Sequence, residues 1–277
     1  MALTVNAVTI DAQDSIIGVH RYNGSGTSWT QIRGPVTVSE TVGGRWGIIV
    51  GGTGGEAGQI FGYSGTPFDW FSMGERGSTY AVSDETVYKT TPDSSQVLQF
   101  DGFDGATPLW SNVGGPAHLR AAGSAGVVAH MPDVFGDTFL YTGNPNDWQR
   151  IGPSGSAYAV GDTVYRSHPL GNTVFKYNGG TSWEDIGGPP NGAAQLFVGG
   201  FGLIATALDG VSGVFRYRGT PGNWERIGDQ TRSCAVTDET VYRVGNDGTV
   251  FRYNGSGNSW SSIGRPDRVM DLFVAGD

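Results

Sequence analysis

The chain has 277 residues and a formal charge of −9, and this charge opposes binding to a phosphate backbone because the 17 Lys and Arg residues form no basic cluster. No run of 18 apolar residues is present, and the start lacks a basic segment followed by an apolar core, so we expect neither membrane insertion nor a classical export signal. The single cysteine excludes an internal disulfide and favours synthesis in the cytoplasm, with any release independent of a classical signal peptide, while 47 glycines and 12% aromatic residues predict short strands joined by tight turns.

One phrase recurs along the chain: an apolar residue, a cation, Tyr, usually Asn, then Gly and, a few residues later, Trp. Residues 250–255, Val-Phe-Arg-Tyr-Asn-Gly, are the clearest copy. Close copies precede Trp29, Trp183, Trp224 and Trp260, and looser copies precede Trp70, Trp110 and Trp148, which gives seven tryptophans in register. These are separated by 41, 40, 38, 35, 41 and 36 residues, and each is followed three residues later by Ile, Val or Met and then usually by Gly. This spacing is the period of one β-propeller blade.

Each unit contains four short apolar-alternating runs. In residues 156–187 they begin at Tyr158, Thr163, Thr173 and Trp183. Turn residues separate the runs, so each unit is predicted to be a four-stranded antiparallel meander. Asn-Gly after the third run, at Asn23, Asn178 and Asn254, predicts a two-residue hairpin with positive φ at both central positions. The Gly-rich stretch Val50 to Gly58 is predicted to be a loop within a blade.

The two ends of the chain complete a ring. The tail 269–276, Val-Met-Asp-Leu-Phe-Val-Ala-Gly, resembles residues 194–200, the first strand of an internal unit, and the head 2–11 would supply the second strand. Pairing the ends covers sheet edges that would otherwise stay open. Residues 1–277 are therefore predicted to form one domain, an all-β seven-bladed β-propeller of four-stranded antiparallel blades, closed by pairing N- and C-terminal strands in one blade.

The units are of two kinds. Numbered from the shared blade, blades 3, 5 and 7 carry Tyr-Ala-Val or Cys-Ala-Val and then Val-Tyr with Lys or Arg, whereas the others carry Gly-rich apolar runs such as residues 47–50. An odd ring places blades 1 and 2, of the same kind, side by side, and Trp46, outside the repeat, is predicted at that irregular junction. Asp84, Asp162 and Asp238 recur between first and second strands, where turn formation is their expected role.

The repeated side chains offer two kinds of candidate ligand contact. The seven tryptophans are either buried between blades or form a stacking wall for ligands. The second-strand residues offer an aromatic ring and a donor in triplicate: Tyr88 with Lys89, Tyr165 with Arg166, and Tyr242 with Arg243. A cation that recurs in a strand is also commonly a solvated alternate position, so both interpretations stay open.

Catalysis is not predicted. His20, His118, His130 and His168 are scattered, and none recurs with a carboxylate or cysteine at metal-ligand spacing. Cys234 stands where sister blades have Tyr80 and Tyr158, which favours a buried apolar role. We therefore expect no enzyme activity, no catalytic residue, no metal site and no cofactor.

Residues 250–264, Val-Phe-Arg-Tyr-Asn-Gly-Ser-Gly-Asn-Ser-Trp-Ser-Ser-Ile-Gly, and their copies resemble the tachylectin and tectonin-like propellers and the bacterial seven-bladed sugar-binding lectins. The likeness extends over the whole chain. It implies shallow sites between blades for glycans such as fucose, galactose, GlcNAc or O-methylated sugars.

The predicted function is accordingly that of a multivalent lectin, with three sites favoured and up to seven allowed, and with avidity arising from several weak sites. A protein-interaction scaffold is the alternative. Binding to a glycan array favours the first, and failure to bind any glycan favours the second.

Overall fold

The computed structural model describes residues 3–10, 15–33, 38–52, 54–115, 118–131, 136–209 and 213–276. Across these ranges the chain forms 28 strands in seven sheets, each sheet having four antiparallel strands. The sheets are the blades of a ring, which confirms the predicted seven-bladed propeller.

The first four blades are bounded as follows. Blade 1 comprises β28 (Arg268–Gly276), β1 (Leu3–Ile10), β2 (Ile16–Tyr22) and β3 (Trp29–Arg33). Blade 2 comprises β4 (Val38–Gly44), β5 (Gly47–Gly52), β6 (Gln59–Tyr63) and β7 (Trp70–Glu75), with a 3-10 turn at Gly54–Glu56. Blade 3 comprises β8 (Tyr80–Val82), β9 (Val87–Thr90), β10 (Val97–Asp104) and β11 (Thr107–Gly114). Blade 4 comprises β12 (His118–Gly123), β13 (Gly126–His130), β14 (Asp137–Tyr141) and β15 (Trp148–Pro153).

The remaining three blades repeat this order. Blade 5 comprises β16 (Tyr158–Val160), β17 (Val164–Ser167), β18 (Val174–Tyr177) and β19 (Trp183–Asp185). Blade 6 comprises β20 (Ala193–Gly199), β21 (Gly202–Ala207), β22 (Val214–Tyr217) and β23 (Trp224–Gly228). Blade 7 comprises β24 (Cys234–Val236), β25 (Val241–Val244), β26 (Val250–Tyr253) and β27 (Trp260–Ser262).

The ring closes in blade 1, as predicted. β28 is the first strand of that blade and pairs with β1 from Leu3 opposite Gly276 to Ile10 opposite Arg268. The first strands of the seven blades contact one another in ring order and surround a central channel.

The repeated tryptophans tie neighbouring blades together. Each indole N–H donates to a backbone carbonyl of the preceding blade, at 2.5–3.2 Å in the seven copies. The acceptor is always the residue three positions after the preceding tryptophan, so that Trp183 donates to Ile151 and Trp29 donates to Ile263 across the ring closure. The acceptor's own side chain is buried in its blade. This series of bonds explains why an apolar residue recurs three places after each tryptophan.

At two junctions the glycine that follows this apolar residue leaves room for the next indole. A Cβ on Gly152 would lie 2.9 Å from the ring nitrogen of Trp183, and one on Gly228 would lie 3.0 Å from a ring carbon of Trp260. Both distances are shorter than an ordinary carbon contact. At these two junctions Trp, Ile and Gly are therefore three parts of one contact between blades.

Two local predictions were partly or wholly wrong. Asn23, Asn178 and Asn254 do not begin two-residue hairpins, because their loops run for six, five and six residues and close with the Asn backbone N–H donated to the carbonyl of Ser28, Ser182 and Ser259 respectively. The side chains of Asn23 and Asn254 also bond across their loops to Ser28 and Ser259, while glycines take the positive φ angles. In the stretch 50–58, residues 50–52 continue β5 before the described chain turns at 54–56. The strands of blade 5, by contrast, begin within one residue of the predicted positions.

Candidate binding sites at the blade junctions

The repeated second-strand cations face the preceding blade. Lys89, Arg166 and Arg243 are 5%, 5% and 9% exposed, and each donates to a backbone carbonyl at the end of that blade. The same cations lie over the tryptophans of their own blades, at 4.0 Å from the ring centroid for Lys89 and 4.7 and 5.0 Å for the two arginines. Burial lowers the pKa of all three, that of Lys89 to about 8. The side chains are thus engaged within the fold.

The neighbouring tyrosines face the following blade, because consecutive residues of a strand point to opposite faces. Tyr88 packs edge-on against Tyr141 with ring centroids 5.9 Å apart, and Tyr242 packs against Tyr22 at 6.4 Å. Tyr165 packs against the same apolar cluster as Tyr217, which occupies in blade 6 the position that Tyr141 occupies in blade 4. The structure therefore separates the predicted Tyr and cation pairs onto two different junctions.

A tryptophan of the following blade completes each tyrosine pair. The three aromatic sets are Tyr88, Tyr141 and Trp148 between blades 3 and 4; Tyr165, Tyr217 and Trp224 between blades 5 and 6; and Tyr242, Tyr22 and Trp29 between blades 7 and 1. We call these the tyrosine junctions. The other four repeated tryptophans lie outside these sets; each is half-buried and donates its indole N–H to the preceding blade. They are Trp70, Trp110, Trp183 and Trp260.

A row of polar side chains extends outward from each second-strand tyrosine. Strand pairing places Gln99 and Ser111 beside Tyr88, Lys176 and Glu184 beside Tyr165, and Arg252 and Ser261 beside Tyr242. All six are half-buried or exposed. The rows offer hydrogen-bond donors and acceptors next to aromatic rings.

The three rows differ in charge. The first lies near the exposed Asp101, which accepts a hydrogen bond from Ser111. The second contains both a cation, Lys176, and an anion, Glu184, whereas Arg252 in the third hydrogen-bonds to Tyr242. Burial raises the pKa of the second-strand tyrosines, that of Tyr88 to about 12, so their hydroxyls stay protonated at neutral pH.

The three repeated aspartates lie at one mouth of the central channel. Each accepts a donor from the preceding Gly-rich blade: Asp84 pairs with Arg45 at 3.7 Å, Asp162 accepts from Ser124 at 3.0 Å, and Asp238 accepts from the Gly200 N–H at 3.2 Å. Arg45 also pairs with Asp238 of blade 7, which lies on the other side of blade 1. The turn-closing side-chain bonds come instead from Ser83 and Thr237. The aspartates thus connect blades, which differs from the turn-forming role that their position in the sequence suggested.

Trp46 contacts blade 3, so its predicted position at the junction of blades 1 and 2 was wrong. Its backbone N–H donates to the Ser83 carbonyl at 3.1 Å, and its ring packs edge-on against that of Phe100 with ring centroids 5.8 Å apart. Phe201 makes the same two contacts from blade 6, to Thr237 and Tyr253. Aligning the residues before Gly47 and Gly202 would have revealed this equivalence.

The central channel contains a cavity of about 680 Å³. First strands supply its walls, which include Val42, Val82, Ala121, Val160, Phe197 and Val236, together with Arg120 and the backbone of several glycines. The cavity therefore combines apolar and polar wall surface and carries the carboxylates at one mouth.

Cys234 and two histidines on neighbouring strands of blade 4 are further side chains with reactive chemistry in the described part of the chain. Cys234 is buried, and burial raises the pKa of its thiol to about 12. The rings of His118 and His130 have centroids 5.6 Å apart, and burial lowers the pKa of His130. Among the residues that the structure describes, no three His, Cys, Asp or Glu side chains are grouped to hold a metal ion. Over the same part of the chain, no helix has the length and apolar character needed to cross a membrane.

No family model matches the chain, and no curated protein matches it. Similar solved structures include apo AztD from Citrobacter koseri, at 12% identity and a TM-score of 0.53, with 99% of this chain and 98% of that one covered. A putative 6-phosphogluconolactonase from Bacteroides fragilis is similar at 14% identity and a TM-score of 0.55, with the same coverage. YCF48 from Cyanidioschyzon merolae is similar at 15% identity and a TM-score of 0.55, with 85% of this chain and 88% of that one covered. These likenesses show the propeller fold alone, and none of the three is described as a lectin.

Proposed function

We propose that the protein is a carbohydrate-binding propeller without enzyme activity, with one site at each of the three tyrosine junctions. The observation that carries this proposal is the triplicate set of two tyrosines and one tryptophan, with a polar row beside it. Four of the six tyrosines are buried, so the half-buried tryptophan of each set offers the aromatic surface that suits the apolar face of a sugar ring. A few fixed polar groups would set the orientation of the sugar. The predicted Lys89, Arg166 and Arg243 are not part of this proposed site, because they face the other side of their blades.

The three sites are expected to have different preferences. Gln99 and Ser111, near Asp101, suit a neutral sugar rich in hydroxyl donors, whereas Arg252 suits a sugar bearing an acidic group. Multivalency would then combine sites of unequal affinity. The resemblance to sugar-binding propellers supports this proposal, while the similar solved structures leave it open because fold does not fix function.

A glycan array followed by titration calorimetry tests the proposal. We expect a retained glycan and up to three sites per chain. Glu184→Ala should remove the site between blades 5 and 6 and lower the measured stoichiometry by one. Glu225→Ala is the matched control, because Glu225 also follows its tryptophan directly but faces the other kind of junction, where it pairs with Arg218. Retention of no glycan, or a single site beside Trp46, would exclude the three-site proposal.

A protein-interaction scaffold is the second candidate, and the hairpin of blade 3 favours it. β10 and β11 have eight residues each and are longer than the third and fourth strands of the other blades. Phe103 on β10 and Leu109 on β11 are 42% and 41% exposed. Phe103 packs against Phe71 of blade 2 at 5.6 Å, so two blades share this apolar surface. A protein partner whose binding is lost on Phe103→Asp, with no glycan retained, would favour the scaffold over the lectin.

A further inference from the structure

The central channel combines a cavity with a polar mouth, and neither part belongs to the proposed carbohydrate sites. At about 680 Å³ the cavity lies within the size range of small-molecule sites. Valine side chains line it along the first strands, at Val42, Val82, Val160, Val236 and Val274, beside polar backbone and the side chain of Arg120. The valine surface gains free energy by contacting an apolar chain.

The charge at the mouth determines which end group suits this chain. Three carboxylates, Asp84, Asp162 and Asp238, line the cavity together with two guanidinium groups, those of Arg45 and Arg120. Arg120 donates to the Ser156 carbonyl at 3.5 Å, whereas Arg45 lies among the carboxylates. Arg45 pairs with Asp84 and Asp238, while Asp162 accepts from the neutral hydroxyl of Ser124. The side chains of Asp84, Asp238 and Arg45 are 34%, 46% and 36% exposed, so the mouth is open to solvent.

We propose that the channel binds a small amphiphilic cation, an ammonium or guanidinium group on an apolar chain, with the cationic group at Asp162 and the chain along the first strands. Arg45 already holds two of the three carboxylates in the same way as such a group would. Arg45 therefore limits affinity by competing for Asp84 and Asp238.

The chain itself supplies matched substitutions for a test. Arg45 corresponds to Ser124 in blade 4, since each follows the last glycine of a first strand and precedes a turn into the second strand. Ala121 and Phe197 occupy the same register, because Ala121 pairs with Val128 and Phe197 pairs with Ile204, and both line the cavity. Arg45→Ser and Ala121→Phe thus introduce residues that the fold accepts at equivalent places.

The test is titration calorimetry with octylammonium, with octanoate and octanol as charge controls. We expect one octylammonium bound per chain and little binding of octanoate. Asp162→Asn should weaken binding about three- to tenfold, as loss of one partly exposed charge pair does, and Arg45→Ser should strengthen it by a similar factor. Ala121→Phe should abolish binding by narrowing the channel.

Asp93→Asn is the control, because Asp93 is exposed in a loop of blade 3 away from the cavity lining. Thermal melts of each variant establish that the ring is intact. Equal binding of octylammonium and octanoate, or octylammonium binding that survives Ala121→Phe and Asp162→Asn in folded variants, would overturn the proposal. Either result leaves the carbohydrate sites untouched, because these lie between blades and not in the channel.

Discussion

Lys89 occupies the place that Arg166 and Arg243 occupy in blades 5 and 7, but burial affects its charge differently. A guanidinium stays charged at all ordinary pH values, whereas an ammonium loses its proton when it is removed from water. Burial lowers the pKa of Lys89 from 10.5 to about 8, and the charge of Glu75 offsets only part of this effect. The position accepts either cation because both reach a backbone carbonyl and an indole face.

We predict that Lys89 makes stability depend on pH in the alkaline range. Its folded-state pKa lies below its unfolded value, so between pH 8 and 10.5 the unfolded chain binds more protons than the folded chain. Lys89 alone should therefore raise the free energy of unfolding by about 2 kcal/mol between pH 7.5 and 9.5. The thiol of Cys234 acts in the opposite direction above pH 9, because burial raises its pKa from 9.0 to about 12. Urea denaturation at pH 7.5, 8.5 and 9.5 measures the rise.

Lys89→Arg is the control for this prediction, since it copies the sister blades and removes the contribution of Lys89 while that of Cys234 stays. The difference between the two slopes therefore measures the effect of Lys89. Measurements stop at pH 9.5 because burial raises the pKa of Tyr80 and Tyr88 to about 12, which produces the opposite slope above pH 10. An identical slope in wild type and Lys89→Arg would show that another group is responsible.

At the scale of the strand, the fourth-strand tryptophans stabilise the junctions through one hydrogen bond each. We predict that Trp183→Phe, which keeps an aromatic ring but removes the N–H bound to Ile151, lowers the free energy of unfolding by about 1 kcal/mol. Glycan binding should persist, because Trp183 lies outside the three aromatic sets. Chemical denaturation and the glycan array measure the two effects.

Trp148→Phe is the informative comparison. It removes the equivalent bond to Val113 and should cost similar stability, but Trp148 belongs to the set between blades 3 and 4 and should also weaken binding there. If Trp183→Phe were as stable as wild type, the indole bond would not contribute to holding blades together.

The sequence predicted the strands well because each blade's hydrophobic alternation is local. The four runs from Tyr158 to Trp183 became strands with nearly the expected bounds, since each run contains its own periodicity and turn residues. The Asn23 loop was missed because a local Asn-Gly signal could not reveal that Ser28 closes a longer loop.

At the scale of the ring, the sequence could not predict which neighbouring blade each side chain faces. Tyr88 and Lys89 are adjacent in the chain, but the ring places them against different neighbours, and only the order of blades shows which one. The predicted alternation of two kinds of blade was informative, because the three tyrosine junctions are those that lead out of blades 3, 5 and 7. Similarly, Arg45 of blade 2 pairs with Asp238 of blade 7 across blade 1, and sequence spacing alone does not predict this contact.

The ring as a whole depends on one pairing between residues distant in sequence. β28 supplies the inner strand of blade 1, and its Val269 and Leu272 pack in a cluster with Val5 and Ala7 of β1. The side chain of Ser233 from blade 7 also reaches Asp271 of β28. Loss of β28 would expose the edge of β1, and an unpaired strand edge is a template for association with another chain.

We predict that a chain ending at residue 265 has a lower melting temperature and associates as its concentration rises, because both the apolar cluster and the paired edge are lost. Adding a peptide of residues 266–277 should restore a monomer and much of the melting temperature, since the peptide can pair with β1 in the native register. A peptide of the same composition in scrambled order is the control, and light scattering with thermal melts measures both effects. A truncated chain that stays monomeric with an unchanged melting temperature would show that six blades and three strands already hold the ring, and that β28 contributes little to its closure.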